Sequence, residues 1–131
     1  MEELEKLIAT GEGDKLEFKK TINQLVKIAR TITSFANSRG GIILVGVMDN
    51  GTISGIDPEE EKHSLTKAAE LYCNPPVKLF FKEIEVEDKI VLKTIIFESK
   101  NKPHFAKVKE GDWRAYIRVK DESVQTDKWL I

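Results

Sequence analysis

The chain has 131 residues, enough for one domain with its own core and too few for two. With 40% hydrophobic and 33% charged residues it reads as a folded globular chain, not a disordered one. Its 21 Lys and Arg against 22 Asp and Glu leave a net charge of -1, so overall charge selects neither nucleic acid nor membrane as a partner.

Leu4, Leu7 and Ile8 have helical spacing, and Gly11 and Gly13 end that first helix. Leu16 and Phe18 alternate with Glu17 and Lys19, the period of a short strand. Ile22, Leu25, Val26, Ala29, Ile32 and Phe35 then recur every three or four residues, which predicts a long amphipathic helix closed by Gly40. Ile42 to Val47 reads as a buried strand, in which Gly46 marks a bend or a close backbone approach. Asp49-Asn50-Gly51 is a turn signal, with Thr52-Ile53-Ser54 returning as a hairpin partner. Asp57-Pro58 followed by three glutamates predicts a capped helix running to about Tyr72, stopped before Pro75-Pro76. Two hairpins follow, Leu79–Val86 with Ile90–Phe97 and Phe105–Val108 with Trp113–Val119. Residues 123–131 read as a short helix or a loose tail. This order predicts a single α+β domain over residues 1–131, a mixed β-sheet with flanking helices.

The longest apolar run, Ile42 to Val45, falls far short of the ~18 residues of a spanning helix. The acidic N-terminus lacks the order of a signal peptide. Cys73 stands alone, which excludes an internal disulfide, and it is read as a packing residue. No membrane partner is expected, and the cytoplasm is the simplest location. His63 and His104 have no second ligand at zinc spacing. No Gly-x-x-x-x-Gly-Lys-Ser/Thr or Gly-x-Gly-x-x-Gly spacing occurs, so the chain is not read as an NTPase.

The neutral total hides blocks of charge. Between Phe18 and Met48 there is no acid, while Lys19, Lys20, Lys27, Arg30 and Arg39 are basic. The middle of the chain is acidic, and Lys100, Lys102, Lys107, Lys109, Arg114 and Arg118 make the later part basic again. Such blocks can build one cationic face on a neutral molecule. Phe105 among the lysines suits unpaired strands, where bases stack. Trp113 and Trp129 are read as packing anchors.

The ordered set Glu12-Gly13-Asp14-Lys15-Leu16-Glu17-Phe18-Lys19, Ser34-Phe35-Ala36-Asn37, Gly40-Gly41, Gly46-Val47-Met48-Asp49-Asn50-Gly51, Gly55-Ile56 and Tyr116-Ile117-Arg118-Val119 resembles the Schlafen AlbA_2 family. The resemblance runs from about Thr10 to Val119. It implies an α+β fold that binds DNA or RNA through basic surfaces, with a role in transcriptional regulation among bacterial members. Phosphate contacts would come from Lys19, Lys20, Lys27, Arg30 and Arg39, with a lesser share from Lys100, Lys102, Lys107 and Lys109. Arg114 and Arg118 would extend either surface. Binding of this kind needs no cofactor.

Some Schlafen members are metal-dependent endoribonucleases acting on tRNA or rRNA, which makes nuclease activity the alternative. By position, Glu12, Glu17 and Asp49 match the family's acids and Lys19 its lysine. Glu17 and Lys19 would share one face of a strand, and the three carboxylates would hold Mg²⁺ or Mn²⁺. Here Met48 and Asn50 stand where the family often carries further acids. A protein-interaction module without nucleic-acid binding is the second alternative. Because Schlafen proteins set two such domains face to face, a homodimer is also expected by analogy.

Overall fold

In the computed structural model, which describes residues 2–129, the chain runs α1 (Glu2–Thr10), β1 (Leu16–Lys19), α2 (Leu25–Ala36), β2 (Gly41–Val45), α3 (Pro58–Leu71), β3 (Cys73–Asn74), β4 (Phe80–Val86), β5 (Lys89–Ile96), β6 (Phe105–Lys109), β7 (Asp112–Val119) and β8 (Glu122–Thr126). The α+β class expected from the sequence is the class observed. The strands form two sheets where one mixed sheet was expected. The first has the order β1-β2-β5-β4, with β1 parallel to β2 and the remaining pairs antiparallel. The second, β3-β6-β7-β8, is antiparallel throughout.

The split has a local cause. After β5 the chain crosses the C-terminal end of α2, where the Ser99 amide donates to the Ala36 carbonyl at 2.9 Å. Asn37 then clamps the incoming strand. Its Oδ1 accepts from the His104 amide at 2.8 Å, and its Nδ2 donates to the carbonyls of His104 and Tyr116, each at 2.9 Å. β6 therefore starts beside α2 instead of extending the first sheet.

Side-chain alternation along β1 assigns the layers. Leu16 and Phe18 turn to one face and join Leu44, Val47 and Val91 against Leu4 of α1. Glu17 and Lys19 turn to the other face, where Ile43, Val45, Leu92 and Ile96 pack with α2 and α3. The second sheet covers the far side of α2 through Ala106 and Tyr116. That double cover explains why every residue from Thr31 to Ala36 is buried, although the helix pattern is amphipathic. Each fully buried side chain of the Phe35 or Ile32 kind contributes about 1.5–3 kcal/mol.

Several boundaries differ from the sequence reading. α2 begins at Leu25, because the Ile22 amide donates to Glu61 Oε1 at 2.8 Å and the Thr21 hydroxyl to Oε2 at 2.6 Å, which hold that stretch as a loop. Gly46 has φ +102°, and a Cβ there would lie 3.2 Å from the Ile90 carbonyl, so the expected bend and the close approach both occur. The hairpin expected after Gly51 is reduced to a single bridge, Val47 to Ile53. The C-terminal segment is strand β8 in place of a helix or tail; Leu130 and Ile131 lie outside the described residues. The α3 start is as read: Asp57 Oδ1 accepts from the amides of Glu59 and Glu60. No helix among the described residues is long and apolar enough to cross a membrane.

Candidate nucleic-acid interface

Because β1 and β2 run parallel, with Lys19 opposite Val45, the N-terminus of α2 lies at the end of the sheet where both strands finish. The sequence places Lys19, Lys20 and Lys27 there. Lys19 and Lys27 line one small depression with Asn23 and Gln24. Lys20 lines an adjoining one with Met48, Asp49 and Asn50. Gln24 is the N-cap residue but its side chain does not cap, and the first turn carries no acid. The first-turn amides are thus left without intrahelical partners, at the positive end of the helix dipole. Glu61, buried on α3, fixes the loop from beneath through Thr21 and Ile22.

Arg30 follows Lys27 by three residues, which puts the two side chains on one helix face. Its guanidinium lies over the Tyr116 ring, 5.7 Å from the centroid. Arg30 Nε is buried without a hydrogen-bond partner among the described residues. Neither Lys20, Lys27 nor Arg30 forms a salt bridge with a described residue, whereas Lys19 lies 3.5 Å from Glu17.

The other expected cations are placed differently. Arg39 lies three residues beyond the end of α2, whose last residue Ala36 is about 14 Å along the axis from Lys27, and pairs with Asp14 at 2.7 Å. Lys102 pairs with Glu98, Lys107 with Glu110 at 2.9 Å, and Arg114 with Asp112 at 2.9 Å. The hydrogen bond and charge of Asp112 raise the Arg114 pKa above its ordinary value and, in return, Asp112 is lowered by Arg114. Lys100 and Lys109 are exposed and form no salt bridge with a described residue. Arg118 is not a surface cation: its side chain is 1% exposed and its Nη1 donates to Glu17 Oε1 at 2.8 Å.

The acids matched by position do not gather. Glu17 is a buried structural carboxylate, with Oε1 taken by Arg118 and Oε2 accepting from the Thr31 hydroxyl at 3.1 Å. Glu12 Oε2 accepts from the Phe18 amide at 3.0 Å, which folds the Gly11–Gly13 loop onto β1. Asp49 is exposed at the far end of β2, beside Lys20. Among the described residues, no three His, Cys, Asp or Glu side chains are grouped so as to hold a metal ion. As placed, Glu12, Glu17 and Asp49 do not fit the divalent ion that the nuclease members' chemistry requires.

Sequence reasoning missed Glu61 and the clamp at Asn37. Glu61 was legible in principle, since Glu61, Leu65 and Ala68 recur at helical spacing and mark the inner face of α3. Asn37 was visible only as part of a motif.

The chain matches the family described as Schlafen, AlbA_2 over residues 12–127 and belongs to that family. No curated protein matches it. Among solved structures, the N-terminal domain of a putative ATP-dependent DNA helicase RecG-related protein from Nitrosomonas europaea is similar, with a TM-score of 0.63 and 20% identity; the match covers 98% of this chain and 90% of that one. The DIP2311 protein from Corynebacterium diphtheriae is similar with a TM-score of 0.61 and 18% identity, over 94% of this chain. The match spans only 25% of the Corynebacterium chain. At these identities the likeness is one of fold.

Proposed function

We propose that the domain binds nucleic acid by phosphate contacts at the N-terminal end of α2. Lys19, Lys20, Lys27 and Arg30 are the contacting side chains, and the free first-turn amides add donors. The observation that carries this reading is the grouping of these cations around an uncapped helix start, three of them with no carboxylate partner among the described residues. Membership of the Schlafen AlbA_2 family and a fold shared with part of a protein described as DNA-helicase-related point the same way. Cations already neutralised by neighbours, such as Arg39, contribute little.

Fluorescence anisotropy with a labelled oligonucleotide tests the reading. Four phosphate contacts give a slope of log affinity against log salt of about −3. Replacing Lys20 and Lys27 together by alanine reduces that slope to about half, while Arg39→Ala leaves it unchanged. Salt-insensitive association, or equal loss from both variants, would overturn the assignment.

A further inference from the structure

Between β1 and α2 the chain crosses from Lys20 to Gln24 with little of its own backbone to hold it. The Lys19 carbonyl before the crossing accepts from the Gly46 amide at 2.7 Å, and the Gln24 carbonyl after it accepts from the Ile28 amide at 3.1 Å. Thr21, Ile22 and Asn23 make no backbone–backbone hydrogen bond with a described residue. Two side chains hold the crossing instead. Ile22 sits in the core, and Glu61 takes the Thr21 hydroxyl on one oxygen and the Ile22 amide on the other. Glu61 is 6% exposed and forms no salt bridge with a described residue, whereas Lys62 beside it pairs with Glu59 and Glu83. A carboxylate buried without a counter-charge is costly, and an apolar side chain would pack that place more favourably. What an apolar side chain could not do is hold the loop.

We propose that Glu61 is a positioning residue for the phosphate site, holding Lys20 and the start of α2 in a fixed relation without touching the bound strand. The proposal rests on the phosphate-binding reading above and names the group on which the shape of that site depends. The loop that Glu61 fastens leads on one side to Lys20 and on the other to the helical turn carrying Lys27, and these two lysines line adjoining depressions. Freed from Glu61, the loop would have to be ordered at the moment of binding, and affinity falls by the cost of that ordering.

The sign of the effect separates position from charge. Glu61 is an acid close to a cationic site, so its removal would by charge alone raise the affinity for a polyanion. Loss of positioning lowers it. Glutamine separates the two: its carbonyl can still accept from the Ile22 amide and its NH₂ can donate to the Thr21 oxygen, with the charge gone. Thr21→Val makes the complementary change, removing one of the two hydrogen bonds and leaving every charge in place.

The experiment titrates a labelled mixed-sequence oligonucleotide against the full chain at several salt concentrations. Glu61→Ala is expected to lower affinity about fivefold to tenfold and to remove about one phosphate contact from the salt slope. Glu61→Gln should bind at least as tightly as the unsubstituted chain, and Thr21→Val about threefold more weakly. In a Lys20→Ala background Glu61→Ala should have a much smaller effect, because it acts through the loop that carries Lys20. A role in stability alone would leave the salt slope of the folded protein unchanged. Should Glu61→Ala fail to fold, Thr21→Val on the exposed side of the loop carries the test. Steep salt dependence in the unsubstituted chain, with Glu61→Ala or Thr21→Val binding equally or more tightly, overturns the positioning role and leaves the phosphate reading intact. Glu61→Gln binding as weakly as Glu61→Ala also overturns it, since the hydrogen bonds would then not be what matters. Binding by the unsubstituted chain that is absent or insensitive to salt overturns both.

Discussion

Arg118 directs its whole guanidinium inward. Nε donates to the Gly13 carbonyl at 3.1 Å, Nη1 to Glu17, and Nη2 to the Leu16 carbonyl, while the group lies 4.6 Å from the centre of the Phe35 ring. A buried pair of this kind adds little net stability over a well-packed apolar substitute, but removing one partner strands the other charge. Arg118→Met should therefore cost about 3–5 kcal/mol in urea unfolding. The same loss in a Glu17→Gln, Arg118→Met double variant would show that the penalty is not the orphaned carboxylate. At this scale the sequence was least informative. Lys27 and Arg118 look alike as letters, and the partner that buries Arg118 lies about a hundred residues away in the chain. Arg39 with Asp14 is the same case at shorter range. Lys20, Lys27 and Arg30 were legible as unpaired cations because the segment around them contains no acid.

Helix α1 is attached to the rest of the domain by Leu4, Leu7 and Ile8 and, among the described residues, by one ion pair, Glu3 with the largely buried Lys93. The Lys93 hydrogen bond, then its charge, holds the Glu3 carboxyl below its ordinary value of 4.5. A carboxylate lowered on folding contributes stability above its unfolded pKa and loses it as pH falls through the folded one. Protection of the α1 amides, measured against the intrinsic exchange rate at each pH, is thus expected to fall selectively as pH drops below about 4.5, and Glu3→Gln should lower it at neutral pH and flatten the acid response. A uniform loss of protection across the domain at acid pH would refute local detachment. Helix existence was legible from apolar spacing, whereas edges depended on distant groups. The start of α2 is set by Glu61, and β8 (Glu-Ser-Val-Gln-Thr) carries too little apolar alternation to announce itself. Its place is fixed by pairing with β7.

Across the whole molecule, a near-zero net charge coexists with a cationic end at the start of α2, and among the described residues salt bridges hold eight of the 21 Lys and Arg side chains. Composition showed the blocks of charge, and topology decided which survive unneutralised. The core offers a reporter of global unfolding in Cys73, whose thiol burial pushes up to about 12. At pH 8 its thiolate fraction is about one in ten thousand, so iodoacetamide should label it only through opening of the domain. Rapid labelling of native protein at pH 8 would contradict this. The same assay verifies that binding variants remain folded. The pairing of Glu17 with Arg118 has one more consequence, since it ties the first sheet to the second. The two sheets are separate boards, and this pair is a strut between them. Weakening it would loosen the two boards from each other before either came apart.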